Sequence, residues 1–390
     1  MRLKLGQLTT IVISSAAAAR EVLQTHDRLF FNRTIPDAIR ACQHSDVLDA
    51  NMNLRHKKVE ELLVDVHKSA QAGEAVDIEK AAFKTSLNLL CTTFFSIEYL
   101  ADHESGTIRE FKETIWSIKK EVGAPNLADY FPMLGKVDPQ GIRRRTTIYF
   151  RKVMDFFGNI INQRLQLREE TGSTEDNDVS QTLINMMINK QSREDEQLDR
   201  TTIEHLLLDL FAGGTETTSA TLEWSIAELL KAPEVMSRAQ AELEQVIGKG
   251  NQVKESDISQ LPYLQAIIKE IFRLHPTIPL LLPRKAEKDV EIFGYTIPKG
   301  AQMLVNVWAI SRDSTIWENP NEFKPESGRR ICPGMPLAIR MLHLMLGSLL
   351  HTFDWKLEDG VTPETIDMED KFGITLQRAK PLRALRRIIT

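Results

Sequence analysis

The stretch GRRICPG, residues 328–334, sets one cysteine behind two arginines and directly before a long apolar segment. A cysteine that binds iron must remain a thiolate, which backbone N–H donors, a helix N-terminus and nearby positive charge all favour. Gly328 and Gly334 allow the tight backbone path of such a loop. Residues 335–350 predict a buried helix that begins beside the cysteine. The stretch therefore predicts that Cys332 is a thiolate ligand of haem, with Arg330 placed to pair with a haem propionate.

An isolated cysteine has a simpler interpretation. Free cysteine is among the most buried residue types and often acts only as a small hydrophobic side chain. The short string around Cys332 does not exclude that interpretation by itself. Two further motifs favour the functional one.

The second motif lies in residues 261–276, where Glu270 and Arg273 stand three positions apart in an apolar segment that Pro276 ends. Residues with this spacing share one helix face. A pair of this kind on a protein surface is worth only about 0.3–0.5 kcal/mol. Because its neighbours include Ile267 and Ile271, we predict instead a buried helix whose two charges pair internally.

The third motif is GGTETT, residues 213–218, inside an apolar segment that predicts one long central helix over residues 206–230. Two glycines in a helix cost about 1 kcal/mol each relative to alanine, so they indicate a packing or functional reason. Close approach of a flat cofactor at Gly213 is one such reason. Glu216 and Thr217 would add an acid and a hydroxyl beside it, as proton delivery requires. The alternative is a distorted polar turn in a core helix.

Together, and in this order, the three motifs resemble those of the cytochrome P450 superfamily of haem-thiolate monooxygenases. The resemblance implies that Cys332 is the axial ligand of the iron and that Glu270 and Arg273 form the structural ion pair. It implies that Glu216 and Thr217 serve oxygen activation on the distal helix. It further implies a mainly α fold, with a large helical domain and a small β region around a buried haem.

One more cofactor contact follows from the same resemblance. Arg284 comes directly after the apolar residues 280–283 and matches a position that binds a haem propionate in this family. The cofactor implied is haem b, with electrons supplied by NADPH through NADPH-cytochrome P450 reductase.

The likeness extends over nearly the whole chain. It is closest to plant terpenoid hydroxylases of the geraniol 8-hydroxylase and ferruginol synthase type, as residues 126–145, 261–286 and 332–358 indicate. It implies hydroxylation of a lipophilic small molecule, a plant terpenoid of secondary metabolism. It also implies a monomer on the cytosolic face of the endoplasmic reticulum membrane, although no segment of this chain resembles the family's membrane anchor.

An apolar pocket beside the haem is predicted for the substrate. Its candidate lining residues are Leu208, Phe211, Ala212, Leu280, Leu281 and Ile374. Such a lining favours a lipophilic substrate, whereas the alternative is that these residues are ordinary core.

Two segments that the family carries are missing here, near residues 45–48 and near residues 326–328. Pro325 stands where relatives have a phenylalanine, and Ser327 stands where an arginine completes the network of Glu270 and Arg273. The alternative function is therefore a catalytically inactive P450 remnant that binds haem poorly or not at all.

Composition limits the remaining possibilities. The chain has 390 residues, a net charge of −5 and three cysteines, so it predicts neither a disulfide framework nor a nucleic-acid partner. No linker or repeat divides it, and we predict one domain over residues 1–390. Helices are predicted over residues 16–26, 53–71, 78–95, 107–122, 141–168, 180–187 and 265–275. Short strands are predicted at residues 9–14, 290–298 and 302–307.

Overall fold

The computed structural model describes residues 1–5, 8–26, 29–30, 52–95, 106–171, 200–325, 335–371 and 375–388. Helices form most of the described chain, as the sequence predicts. They are α1 (Ala16–Arg20), α2 (Met52–Gln71), α3 (Ile78–Phe95), α4 (Gly106–Gly123), α5 (Leu127–Tyr130), α6 (Ile142–Thr171), α7 (Arg200–Gly214), α8 (Glu216–Lys231), α9 (Pro233–Ile247), α10 (Pro262–Leu274), α11 (Val307–Ile310) and α12 (Met335–Thr352).

Most predicted helices are present with bounds within a few residues of the predicted ones. Helix α1 begins after Ser15, whose side-chain oxygen accepts a hydrogen bond from the backbone N–H of Ala18 at 3.4 Å. Helix α10 ends at Leu274, two residues before Pro276, because a residue that precedes proline avoids the helical conformation. The helix predicted at residues 180–187 lies outside the described residues.

The strands form small sheets. Their bounds are β1 (Arg2–Leu5), β2 (Leu8–Ile13), β3 (Val76–Asp77), β4 (Arg284–Lys285), β5 (Val290–Ile292), β6 (Tyr295–Ile297), β7 (Gln302–Val305), β8 (Phe353–Leu357), β9 (Asp370–Lys371), β10 (Gln377–Arg378) and β11 (Arg383–Ile388). The first sheet has the order β1-β2-β7-β4, with β2 and β7 parallel, and the second has the order β3-β11-β8. Two hairpins, β5–β6 and β9–β10, complete the β region.

The helices enclose two apolar clusters on either side of α3. One joins α2, α8, α9, α10 and α12, and the fully buried side chains of Leu229, Ile271 and Leu344 belong to it. The other is aromatic, since the ring of Phe211 from α7 meets the rings of Phe94 and Phe157 at centroid distances of 5.9 and 5.4 Å. Such ring pairs add to the apolar burial that holds α7 against α3 and α6.

The predicted central helix is interrupted. It consists of α7 and α8, and Thr215 stands between them. Side-chain hydroxyls along this segment donate to carbonyl groups one turn earlier: Thr215 to Phe211 at 2.8 Å, Thr217 to Gly213 at 2.5 Å and Thr218 to Gly214 at 3.1 Å. Hydroxyl bonds of this kind compete with the helix backbone and bend it. The backbone N–H of Thr215 still donates to the Phe211 carbonyl at 3.3 Å, and that of Ser219 to the Thr215 carbonyl at 3.1 Å, so the irregularity at Thr215 is local.

None of the described helices combines the length and the apolar character needed to cross a bilayer.

Candidate functional site

Glu270 and Arg273 form a buried pair on α10. The Arg273 guanidinium donates from Nε to Glu270 Oε2 at 2.8 Å and from Nη2 to Glu270 Oε1 at 2.7 Å. The two side chains are only 0% and 5% exposed, for Glu270 and Arg273 respectively. A bidentate contact of two ions with so little water around it requires further hydrogen bonds to compensate for lost hydration.

The segment between α11 and residue 325 supplies those bonds. Arg273 also donates to the carbonyl oxygens of Ser311 at 3.0 Å, Pro320 at 2.6 Å and Glu322 at 2.8 Å. The backbone N–H of Lys324 donates to Glu270 Oε1 at 2.8 Å. The pair thus fastens the chain that leads into the predicted ligand loop. No pattern in the sequence indicates these carbonyl partners.

Gly213 and Thr217 mark one face of the interrupted central helix. A Cβ atom at Gly213 would meet no atom within 4 Å, and the residue is exposed, although the residues of α8 that follow are almost all buried. Thr217 stands one turn later, so it shares this face. The open space beside Gly213, with a hydroxyl at its edge, fits the edge of a flat cofactor such as haem.

Of the other residues predicted to contact the cofactor, the structure describes Arg284. Cys332, Arg330 and Gly334 lie outside the described residues. Arg284 is partly exposed on β4, the edge strand of the first sheet, where it pairs with Met303 of β7. Helix α12 begins at Met335, the residue after the predicted loop, so its N-terminus follows Cys332 closely in sequence.

Five of the six predicted pocket residues are described, three on α7 and two at residues 280–281. Leu208 and Phe211 belong to the aromatic cluster and are 7% and 1% exposed. The assignment of these two side chains to the substrate pocket stays a prediction. Ala212 and Leu281 are partly exposed and Leu280 is 41% exposed. Ile374 lies outside the described residues.

Glu216 is the first residue of α8 and is 5% exposed. Its Oε1 accepts a hydrogen bond from Nε2 of Gln377, on β10, at 2.6 Å. Sequence reasoning missed Gln377 as a partner, since 161 positions separate the two residues and no local pattern links them.

A second acidic residue of α8 contacts the same C-terminal segment. Oε1 of Glu223 accepts from the backbone N–H of Leu382 at 2.7 Å and lies 4.0 Å from Nε of Arg378. Burial raises the pKa of Glu223 to about 7, and the Leu382 and Arg378 contacts oppose that rise only in part. The carboxyl group is thus buried in a place that favours its neutral form.

Trp224 and Glu228 of α8 contact His275, the residue that follows α10. The ring of His275 stacks on that of Trp224 at a centroid distance of 3.9 Å, and its Nε2 lies 2.7 Å from Oε1 of Glu228. Burial lowers the pKa of His275, with the Glu228 carboxylate acting in the opposite direction. These contacts join α8 to the C-terminal end of α10.

We expect Glu223 to make the free energy of unfolding fall as pH rises. Between its ordinary pKa of 4.5 and the folded-state value of about 7, the folded protein keeps a proton that the unfolded chain has released. The contribution of this group to the free energy of unfolding is fully present below pH 4.5. It declines by about 3 kcal/mol as the pH rises from 4.5 through 7. Glu223→Gln retains an acceptor for Leu382, so it should flatten the pH profile of urea unfolding. Glu244→Gln, at an exposed position, is the control, and an unflattened profile in Glu223→Gln would contradict the assignment.

Comparison with known proteins identifies the fold family. The family model described as Cytochrome P450 matches residues 39–327 and 327–383. A geraniol 8-hydroxylase of Swertia mussotii is 48% identical, over 99% of this chain and 86% of that protein. A drimenol monooxygenase of Persicaria hydropiper is 46% identical, over 99% and 85%. A 7-ethoxycoumarin O-deethylase of Helianthus tuberosus is 44% identical, over 98% and 86%.

These matches also bear on the sequence interpretation. All three relatives are named for enzymatic activities, so the comparisons do not support the alternative of an inactive remnant. The matches cover almost all of the chain, and the helical architecture with small sheets agrees with them. The chain belongs to the cytochrome P450 family.

Proposed function

We propose that this chain hydroxylates a terpenoid or a related lipophilic small molecule. Its family makes it a monooxygenase with a haem-iron cofactor and a redox partner. The names of the geraniol and drimenol enzymes support a terpenoid substrate. The observation that carries the proposal is the face of the central helix at Gly213, where open space meets the Thr217 hydroxyl.

The cofactor proposed is haem b. Cys332 would supply the thiolate ligand, Arg330 and Arg284 would pair with the propionates, and Gly334 and Gly213 would allow close approach of the backbone. Bound haem supplies the activation of molecular oxygen and its insertion into a C–H bond of the substrate. The protein's own residues then have three tasks: to hold the cofactor, to place the substrate and to deliver protons.

Glu216 and Thr217 are proposed for proton delivery. The carboxylate of Glu216 would accept a proton from solvent and pass it to the Thr217 hydroxyl oxygen, which would release its own proton toward the cofactor site, so that both groups return to their starting state. The burial of Glu216 and the position of Thr217 on the Gly213 face support this assignment.

The substrate would contact Leu208, Phe211, Ala212, Leu280, Leu281 and Ile374. Support comes from the apolar character of all six side chains and from the exposure of Ala212, Leu280 and Leu281. Leu281 adopts a φ of +50°, which is unusual for a leucine and marks a constrained backbone beside its exposed neighbour.

Electron supply and cellular placement are further parts of the proposal. We assign NADPH-cytochrome P450 reductase as the redox partner, and the cytosolic face of the endoplasmic reticulum as the location of a monomeric enzyme.

A single domain over residues 1–390 is retained, with segments missing near residues 45–48 and 326–328. Two findings support the missing segments: the two matched parts of the family model meet at residue 327, and alignments of 432 positions exceed the 390 residues of the chain.

Thr217→Ala tests the assignment of proton delivery. With the haem-loaded protein, NADPH, the reductase and geraniol, we expect NADPH oxidation to continue. Product formed per NADPH should fall by at least about tenfold, with hydrogen peroxide accounting for the difference, because general acid catalysis contributes about 100-fold or more. Ser225→Ala is the matched control, since Ser225 donates to the carbonyl of Thr221 at 2.7 Å in the same helix but is fully buried. Unchanged product yield in Thr217→Ala would remove Thr217 from the mechanism.

A further inference from the structure

The contact between Gln377 and Glu216 joins the C-terminal hairpin to the central helix. Gln377 lies on β10, in the C-terminal hairpin, and Glu216 begins α8 at the break in the central helix. The amide nitrogen of Gln377 lies 2.6 Å from Oε1 of Glu216. A hydrogen bond to a carboxylate this short is among the stronger kinds in proteins.

Gln377 is itself held in place by its neighbours. The backbone N–H of Leu376 donates to the carbonyl of Thr277 at 2.8 Å, and the Leu376 carbonyl accepts from the indole Nε1 of Trp224 at 3.2 Å. Gln377 also pairs with Lys371 across the β9–β10 hairpin. The amide group therefore projects from a backbone that α8 and the segment after α10 both fix.

The arrangement matters because the Glu216 carboxylate stands at the end of a flexible side chain. A glutamate side chain has several rotamers, and the helix backbone alone does not select one of them. A donor fixed from outside the helix selects one position of the carboxylate. Groups that transfer protons gain most of their effect from such positioning.

We propose that Gln377 is a positioning residue for Glu216 in proton delivery. The inference rests on the proposed function of Glu216 and Thr217. A neutral amide suits this task, because it orients Oε1 of the carboxylate without adding a charge that would compete for the proton. Glu223, two turns further along α8, contacts Leu382 and Arg378 of the C-terminal segment and serves attachment rather than positioning.

The test compares Gln377→Leu with Gln265→Leu. Gln265 is a matched control, since its amide donates to the carbonyl of Ile258 at 2.7 Å in a similarly half-buried place, and we assign it no role in the reaction. In haem-loaded protein with NADPH, the reductase and geraniol, Gln377→Leu should keep its rate of NADPH oxidation. Its product per NADPH should fall roughly tenfold, the usual value of a hydrogen bond to a charged group. Gln265→Leu should retain the yield of the unaltered protein.

The pH dependence of product per NADPH in Gln377→Glu gives a second test of the positioning role. Gln377→Glu places a second carboxyl group beside Glu216, and two carboxylates at this distance repel unless they share a proton. Product per NADPH in Gln377→Glu should therefore be lowest at high pH and recover as pH falls. A product yield that does not change with pH in Gln377→Glu would contradict the positioning role.

Unfolding in urea gives a readout that does not depend on activity. Gln377→Leu, Glu216→Ala and the double variant form a cycle in haem-loaded protein. If the contact is real, the double variant should lose no more stability than the more damaging single variant. Strictly additive losses would show that the two side chains do not interact and would overturn the inference.

The outcomes also distinguish this inference from the proposed function. If Glu216→Ala lowers product per NADPH and Gln377→Leu does not, Gln377 has no positioning role and the function of Glu216 stands. If Glu216→Ala leaves the yield unchanged, the role of Glu216 fails and the role of Gln377 fails with it. The inference holds if both variants lower the yield and the double variant lowers it no further.

Discussion

Replacing Arg273 with methionine is expected to lower the free energy of unfolding by about 3–5 kcal/mol. Methionine keeps the apolar stem but removes the charge, so the carboxylate of Glu270 would remain buried without its partner. Glu270 is 0% exposed, and no rearrangement of surface water is available to it. The carbonyl oxygens of Ser311, Pro320 and Glu322 would lose their donor as well.

The chain offers a matched control on its surface. Arg145 makes a bidentate contact with Glu121 at 2.8 and 2.7 Å, which is the same geometry as the Arg273 pair. Its side chain is 41% exposed, however, and water can hydrate either partner alone. Arg145→Met should therefore cost about 1 kcal/mol or less.

Urea unfolding followed by tryptophan fluorescence measures both variants. Trp317 lies 5.2 Å from the Arg273 guanidinium, so its emission reports on this part of the fold. Equal losses in the two variants would show that burial does not set the strength of the Arg273 pair. A loss in Arg273→Met accompanied by earlier unfolding of the segment before residue 325 would agree with its contacts to Pro320 and Glu322.

Sequence patterns were sufficient wherever structure depends on near neighbours. Apolar periodicity predicted the long helices, and a threonine-rich, β-branched segment predicted β2. The three-residue spacing of Glu270 and Arg273 predicted that they share one helix face, because such spacing is a property of the helix alone. Ser15 as a helix cap follows from the same local logic.

Local sequence patterns do not predict contacts between segments that are distant in the chain. The local irregularity at Thr215 coincides with hydroxyl groups that donate to backbone carbonyls, and a pattern of apolar positions does not reveal it. Gln377 and Glu216 are 161 positions apart in the sequence. Contacts of Leu376 with Trp224 and Thr277 hold the chain at the start of β10, where Gln377 lies.

Cys91 is the cysteine that the described residues contain. Cys91, on α3, is 4% exposed in the aromatic cluster, and burial raises the pKa of its thiol to about 12. Such a thiol stays protonated at neutral pH and does not supply a thiolate to iron. Its role is that of a small apolar side chain. Cys42 and Cys332 lie outside the described residues, and only Cys332 has the arginines, glycines and following helix that favour a thiolate.

Cys332→Ser is therefore expected to abolish the thiolate-type absorbance band of the reduced, carbon monoxide-bound protein. The serine hydroxyl stays protonated and does not replace the thiolate, so the remaining spectrum should be that of haem with a neutral axial ligand, or of protein without haem. Cys91→Ala and Cys42→Ser are the controls, and both should keep the band. Survival of the band in Cys332→Ser would mean that another residue binds the iron. Loss of the band in Cys91→Ala, with the band intact in Cys332→Ser, would contradict both the ligand assignment and the effect of burial on the Cys91 thiol.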